Sequence, residues 1–486
     1  MNKVFIALFL TIWIIGCGPT RSIVKPRDPY IQLRRDLDNL LSDSLFLPSH
    51  ASVKIISLNN EKLLYNRESN ALMNPASNMK LFTSAAALFI LDTNYQFRTN
   101  IAINSTPVGG IVNGNIYLKG YGDPLLTTQH LDSMARSIGL SGITRVCGNI
   151  IIDDSYFDDS YWGAGWTWDD ESDPDAPYIN ALSVNGNCVS ILVLSDSIST
   201  FASTESSSNY FTIVNKAKVV NDSIRNPLII RRLNTNNTNT FIIEGELFPY
   251  DSFSQKFSVR YPQYYAGNLL KEALQRNGIQ VDGNIISGST PLIVQEIASN
   301  RTPLSLVLMK LNKESDNLCA ENIIKILGIS GYGLPGSTKA GIYVVKKFLS
   351  SIGLDTTQLS IADGSGVSRY NLMSAQQIVY LLKFVHKHPR IFPMLYESLP
   401  IAGADGTLSG RMLNYPAANN LRAKTGTLNG VSCLSGYVQT RDGEMLAFSI
   451  MMQNFIESVS LYRKIKDKIG IYLSNFSTKS AKRTNK

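Results

Sequence analysis

Histidine is almost missing from this chain: four residues in 486, at positions 50, 130, 386 and 388. A hydrolase that uses imidazole as its base needs a histidine inside a motif, and none of these sits in one. His386 and His388 close an amphipathic stretch and His130 lies in a polar loop, so they read as solvated surface residues. Cysteine is also scarce. Cys17, Cys147, Cys188, Cys319 and Cys433 form no C-x-x-C pair, and H-E-x-x-H is absent, so thiol redox and zinc chemistry have no motif. No metal and no cofactor is expected. Charged residues make up 17% of the chain, and the net +8 is spread too evenly for a nucleic-acid stripe. Long apolar runs are limited to residues 4–15, too short to span a bilayer.

That run follows Lys3 and has the length of a signal-peptide core, so residues 1–16 read as an export signal. It stops at "IIGC", where Gly16 and Cys17 resemble a bacterial lipoprotein box; the plain alternative is an ordinary signal with a chance cysteine. Acylated Cys17 would anchor the protein to a membrane, giving a periplasmic or cell-envelope location, with residues 17–35 and their prolines as a tether. The four remaining cysteines are an even number in a compartment that permits disulfides. Two bridges and four buried free thiols are both open.

The body of the chain changes texture twice. Residues 36–96 hold a helix around "QLRRDLDNLL", a hairpin across Asn59 and Asn60, and an apolar helix capped by Asn74 with Pro75 first inside, running to Leu91. Residues 97–296 break into short β-type runs, three of which reopen on Gly-Asn-Ile. Helical stretches then return with strand pairs over 297–475, the last pair joined through Asp442 and Gly443, and residues 476–486 form a basic tail that reads as disordered. The expected fold class is mixed α/β, one domain interrupted by a long β-rich insertion.

"NPASNMKLFT" places Ser77 three positions before Lys80, which puts them one helical turn apart, and Ser84 continues the same polar seam. A lysine is charged at neutral pH unless it is desolvated or crowded by another cation, and a buried helix supplies the first condition. "RAKTGTLNG" offers a second cation in Lys424, with Gly426 permitting close backbone approach to the strand. "KESDNLCAEN" offers Ser315 to relay a proton and Asn317 to bind a carbonyl, although Ser and Asp there also suit a plain helix cap. Each motif alone is weak, and "SIVK" at 22–25 is a decoy. The order S-x-x-K, S-D-N, K-T-G is that of serine penicillin-recognising enzymes.

With "GYGDPLL", "IIDDSYFDD", "DGSGVSRYNLMS", "LPIAGADGTLSGRM" and "AKTGTLNGVSCLSGY", the chain from about residue 45 to 470 resembles the D-alanyl-D-alanine carboxypeptidase/endopeptidases, the class C, type-4 penicillin-binding proteins. The resemblance implies a penicillin-recognising, β-lactamase-like catalytic domain and peptidoglycan stem peptides as substrate, with β-lactams as covalent inhibitors. It implies Ser77 as nucleophile and Lys80 as base, with Ser315, Asn317 and Lys424 completing the catalytic set. Backbone NH groups of Ser77 and Thr427 would form the oxyanion hole, and Lys424 with Thr425, Gly426 and Thr427 would bind the substrate's terminal end. It assigns a pocket for the stem-peptide side chain to Asp153, Phe157, Arg411 and Asn429, with Asp153 and Asp154 competing for the one acidic role in "DDSYF". Asn78 and Met79 depart from the commoner middle of the first motif. No carboxylate stands where class A β-lactamases keep their deacylating glutamate, so β-lactam adducts would hydrolyse slowly. A β-lactamase or esterase on the same scaffold, and a wall-binding protein that lost turnover, are the competing readings.

Overall fold

The computed structural model describes residues 28–206, 208–221, 224–233 and 238–479, so the signal segment, Cys17, the "SIVK" decoy and most of the basic tail lie outside the described residues. The first helix, Pro29–Leu41, starts within the stretch read as tether; Asp28 caps it and Pro29 occupies its first turn.

A five-stranded antiparallel sheet forms the centre of the catalytic half. Its order is Arg422–Leu428 at one edge, then Val431–Gln439, Met445–Gln453, His50–Ser57 and Leu63–Arg67. "MLAFSIMMQ" is almost wholly apolar because both faces of the sheet are covered. Leu446, Phe448, Ile450 and Met452 point towards Pro29–Leu41 and the last helix, Val459–Asn475. Ala447 and Met451 point the other way, to the core around the helix Met79–Ile90. Each fully buried Leu or Ile of this kind contributes about 1.5–3 kcal/mol by leaving water.

The chain leaves this half through the strand Gln96–Ile103 and re-enters it through Gln295–Pro303, and these two strands pair antiparallel. Exit and return are therefore neighbours, and a long insertion costs the parent domain little loop-closure entropy. The return strand runs past residue 296 to Pro303, and the inserted part carries two helices, Thr128–Leu140 and Pro262–Arg276, besides its strands. Its three Gly-Asn-Ile runs become adjacent parallel strands, with Ile116 opposite Ile150 and Ile150 opposite Ile285. The repeated asparagines explain the repeat: Asn115 Oδ1 accepts from the Asn149 NH and Asn149 Oδ1 from the Asn284 NH, both at 2.8 Å. A Cβ at Gly148 would overlap the Gly114 carbonyl, so the stacked turns require glycine.

The disulfide question resolves to thiols. Cys147 is exposed and free, and Cys188, Cys319 and Cys433 are buried and free, serving as small apolar core residues in three different places.

Candidate active site

Ser77 does not open a regular α-helix as the start signals suggest. Residues Ala76–Asn78 form a 3-10 turn, with α-helix only from Met79 to Ile90. The Asn74 side chain accepts from the Ala76 NH at 2.8 Å, closing a local turn in which Ala76 takes φ +45°, a conformation that a regular helix does not admit. The turn presents Ser77 Oγ to Lys80 Nζ at 3.0 Å.

Lys80 is fully buried, and its ammonium also donates to Asn317 Oδ1 at 2.5 Å and to the Ser365 carbonyl at 2.7 Å. Burial pushes its pKa down to about 8, against the opposing pull of Asp363, Glu321, Asp316 and Asp175. Three partners suit both states of the amine. Charged, it donates to all three; neutral, it keeps two donations and turns its lone pair to the serine hydroxyl.

The second wall comes from a break in a helix. Leu304–Met309 is α-helical, Lys310–Glu314 widens to a π turn, and Ser315 adopts a left-handed φ of 64° before the helix Asn317–Tyr332 restarts. Asp316 caps that helix by accepting from the Cys319 NH at 2.8 Å. Both readings of "SDN" hold in one tripeptide: Asp316 is the cap, while Ser315 and Asn317 line the cleft. Lys424, on the edge strand, donates to Ser315 Oγ at 2.9 Å and to the Thr425 carbonyl at 3.0 Å. It is fully buried, and burial together with the nearby Lys80 holds its pKa well below the ordinary lysine value. Lys80, far away in sequence, thus helps to lower the charge on Lys424.

Gly426 permits a close approach, though of the protein's own backbone. A Cβ there would lie 2.8 Å from the Pro75 carbonyl and 3.2 Å from the Ser77 nitrogen. Gly366 packs the opposite side of the same turn at φ +87°, where a Cβ would overlap the Ala76 carbonyl. Gly366→Ala is expected to destabilise the fold by about 1–3 kcal/mol from its backbone conformation alone. It should also displace Ser77, so thermal melting and acylation rate should fall together.

The cleft over these groups encloses about 560 Å³. Ser77, Ser315, Asn317, Thr425 and Thr427 line it, together with the charged Arg411, Arg463, Lys466, Asp170 and Asp173. Arg411 pairs with Asp467 at 2.5 Å, and Lys466, buried behind the edge strand, donates to the Cys433 carbonyl at 3.0 Å and has its pKa lowered to about 7 by burial and by Arg411.

Of the four residues assigned to a side-chain pocket, the structure brings only Arg411 to this cleft. Asp153 is buried in a strand of the insertion, paired with Lys119 at 3.0 Å and accepting from Thr290 and Ser155. Phe157 packs its ring on Gly122 at the junction of the two halves. Asn429 is exposed past the end of the edge strand, its carbonyl accepting from Arg369 at 3.0 Å. The acids that do reach the cleft are Asp170, Asp173, Asp175 and Glu314, none of which the motif reading selected. Glu314 is engaged by Lys310 at 2.9 Å. The segment bearing the three aspartates is drawn back over the catalytic half by two bonds, Trp166 Nε1 to Asp363 Oδ2 at 2.9 Å and Asn317 Nδ2 to the Asp175 carbonyl. The available signal was "WTWDDESDPDAPY", an acidic run with aromatics that a solvated loop has no need of.

His130 is a capping residue, its Nδ1 accepting from the Thr127 NH at 3.2 Å, and no histidine lines the cleft among the described residues. Among those residues no group of side chains is arranged to hold a metal, and no helix is long and apolar enough to cross a membrane.

The chain is 34% identical over 466 residues to a D-alanyl-D-alanine carboxypeptidase of Actinomadura sp. strain R39, covering 92% of this chain and 85% of that one. It is 29% identical over 447 residues to D-alanyl-D-alanine carboxypeptidase DacB of Haemophilus influenzae, covering 84% of this chain and 90% of that one. The crystal structure of penicillin binding protein 4 (dacB) from Haemophilus influenzae superposes with a TM-score of 0.79 at 27% identity, over 90% of this chain and 98% of that one. That protein has also been solved complexed with a β-lactam. Residues 33–475 match the family model, and the chain belongs to the D-Ala-D-Ala carboxypeptidase 3 (S13) family.

Proposed function

We propose that this chain is a serine D,D-peptidase of the cell wall that hydrolyses D-Ala-D-Ala ends and D-Ala-diamino acid cross-links of peptidoglycan through an acyl-enzyme on Ser77. The observation that carries this reading is a fully buried amine, Lys80, whose pKa is lowered to about 8, 3.0 Å from a hydroxyl at the floor of an open cleft.

Neutral Lys80 takes the proton of Ser77 Oγ as that oxygen attacks the penultimate D-Ala carbonyl. The negative charge that develops on the carbonyl oxygen falls to the backbone NH groups of Ser77 and Thr427, a role worth about 3–4 kcal/mol for a single donor elsewhere. Collapse of the tetrahedral species breaks the C–N bond, and Ser315, beside Lys424, relays a proton to the leaving amine. Water then hydrolyses the ester by the reverse traffic. Arg422–Leu428 is an edge strand, so an extended peptide is able to lie along it as an added strand, with Lys424, Thr425 and Gly426 at its terminal carboxylate.

The cleft favours a substrate residue bearing charges of both signs, because Asp170 and Asp173 line it together with Arg411 and Arg463. A diamino acid of the stem peptide has that character. This replaces Asp153, Phe157 and Asn429 as the side-chain subsite and keeps Arg411. Complete Ser77, Lys80, Ser315, Asn317 and Lys424 with their mutual bonds argue against a binding protein without turnover. Export and acylation at Cys17 would hold the enzyme at the membrane face of its polymer substrate.

Incubation with a fluorescent penicillin, followed by peptide mass mapping, should find one adduct on Ser77. An adduct on another serine, or none, sinks the proposal. Release of D-alanine from a pentapeptide against splitting of a cross-linked dimer then ranks the two activities.

A further inference from the structure

The turn at residues 363–366 lies between the nucleophile and a helix, and it is held from both sides. On one side Gly366 abuts the Ala76 carbonyl, and Ser365 offers its carbonyl to Lys80 Nζ at 2.7 Å. On the other, Glu321 Oε1 accepts from the NH groups of Gly364 and Ser365 at 3.0 and 2.8 Å. Thr83 Oγ1 closes the arrangement by donating to the Gly364 carbonyl at 2.7 Å. The turn is flush with the helix, since a Cβ on Gly364 would overlap the Ile324 side chain. Glu321 stands one turn beyond Asn317 on that same helix. One element therefore reaches Lys80 twice, directly through Asn317 Oδ1 and through the backbone of Ser365, whose NH Glu321 holds and whose carbonyl faces the amine.

We infer that Glu321 is a positioning residue for Lys80: it holds the carbonyl that accepts from the amine, and its charge sets how readily that amine gives up a proton. The inference rests on the reading of Lys80 as the base.

A merely structural anchor for two NH groups needs no second carboxylate oxygen. Glu321 is completely buried, and its Oε2 has no hydrogen-bond partner among the described residues, an arrangement that costs stability. Asp363, also buried, shows the contrast. Its two oxygens accept from Gly366, Ser368, Asn371 and Trp166, so every side of that carboxylate is used for structure. Burial, followed by the neighbouring Asp363, pushes Glu321 up to about 8, the range in which Lys80 also titrates. A proton on either group thus biases the other. The remaining charges acting on Lys80 are Asp363 on the turn, Asp316 at the helix cap and Asp175 on the acidic segment, and Lys424 on the edge strand is a neighbour whose own charge Lys80 lowers.

The test uses the full chain with Glu321→Gln and Glu321→Ala. Glutamine keeps an acceptor for Gly364 and Ser365 and removes the charge. A ¹³C-lysine NMR titration follows Lys80, its signal identified by loss in Lys80→Arg, and penicillin acylation is timed across pH. In Glu321→Gln the Lys80 titration should move to lower pH, by about one pH unit, with melting near wild type, while acylation well below pH 8, where wild-type Glu321 already carries a proton, stays close to wild type. In Glu321→Ala acylation should fall at least about tenfold at every pH as the carbonyl loses its hold. If the Lys80 titration in Glu321→Gln coincides with wild type, the inference is overturned. Wild-type acylation of a serine other than Ser77 would remove the catalytic reading instead, while the NMR titration still decides what Glu321 does to Lys80. Should Glu321→Ala fail to fold, the Glu321→Gln titration decides alone.

Discussion

Ser77→Ala is expected to lose covalent penicillin labelling altogether and to drop D-alanine release on the order of 10⁶-fold, as removal of a serine nucleophile does in a comparable acyl-transfer site. Among the serines of the cleft, only Ser77 has its hydroxyl next to an amine that is both buried and equipped with two other acceptors. Ser315 faces Lys424, but that amine's remaining partner is the Thr425 carbonyl, and Ser315 sits on the wall rather than at the floor of the turn. Ser84, on the same helix as Lys80, accepts from Asn312 at 3.1 Å and belongs to the core. The alanine variant removes one half-buried hydroxyl and no packing volume, so melting should move little. Intact-mass spectrometry after exposure to a fluorescent penicillin reads the outcome. Residual labelling at wild-type stoichiometry would show that another serine is the nucleophile.

Lys80→Arg is expected to lower acylation by about 10²–10⁴-fold, the range for removing a positioned general base. The substitution preserves charge and removes function, because a guanidinium stays protonated at every accessible pH. In the wild type the sign is fixed by the direction of the shift. Burial places Lys80 near 8, so below that value the amine is mostly charged and unable to accept the Ser77 proton. The acylation rate should therefore rise about tenfold per pH unit on the acid side and level off above about pH 8. The arginine variant should lose this limb along with the rate. Stopped-flow acylation between pH 5 and pH 9 separates the two, and an unchanged limb in the variant would assign the proton acceptor elsewhere.

How much of this was legible beforehand differs from residue to residue. The hairpins about Asn59 and about Asp442-Gly443 were readable because a turn's chemistry is local, as was the cap at Asp316. The start of the serine helix was misread by one turn, since Ala76 at φ +45° breaks the regular helix and a 3-10 turn precedes Met79. Three of the four residues read as a side-chain subsite stay out of the cleft for a different reason. Asp153 and Phe157 sit in a stretch that matches the family in type, but their partners are Lys119 and Gly122, which lie within the insertion. Glu321 was visible in "SDNLCAEN", yet nothing in the string says that its carboxylate turns inward to a loop more than forty positions later.

By itself the sequence determined which reacting groups exist and which lie within one turn of each other: Ser77 with Lys80, Ser315 with Asn317, and Lys424 with Thr425 and Gly426. Those spacings follow from helix and strand geometry, which acts over a few residues. Only the tertiary structure decided that the lysines at 80 and 424 share one buried space, that Asp170 and not Asp153 lines the cleft, and that the four described cysteines remain thiols. Each of those outcomes depends on desolvation and on contacts between segments far apart in the chain, and burial is a property that only the packed molecule has.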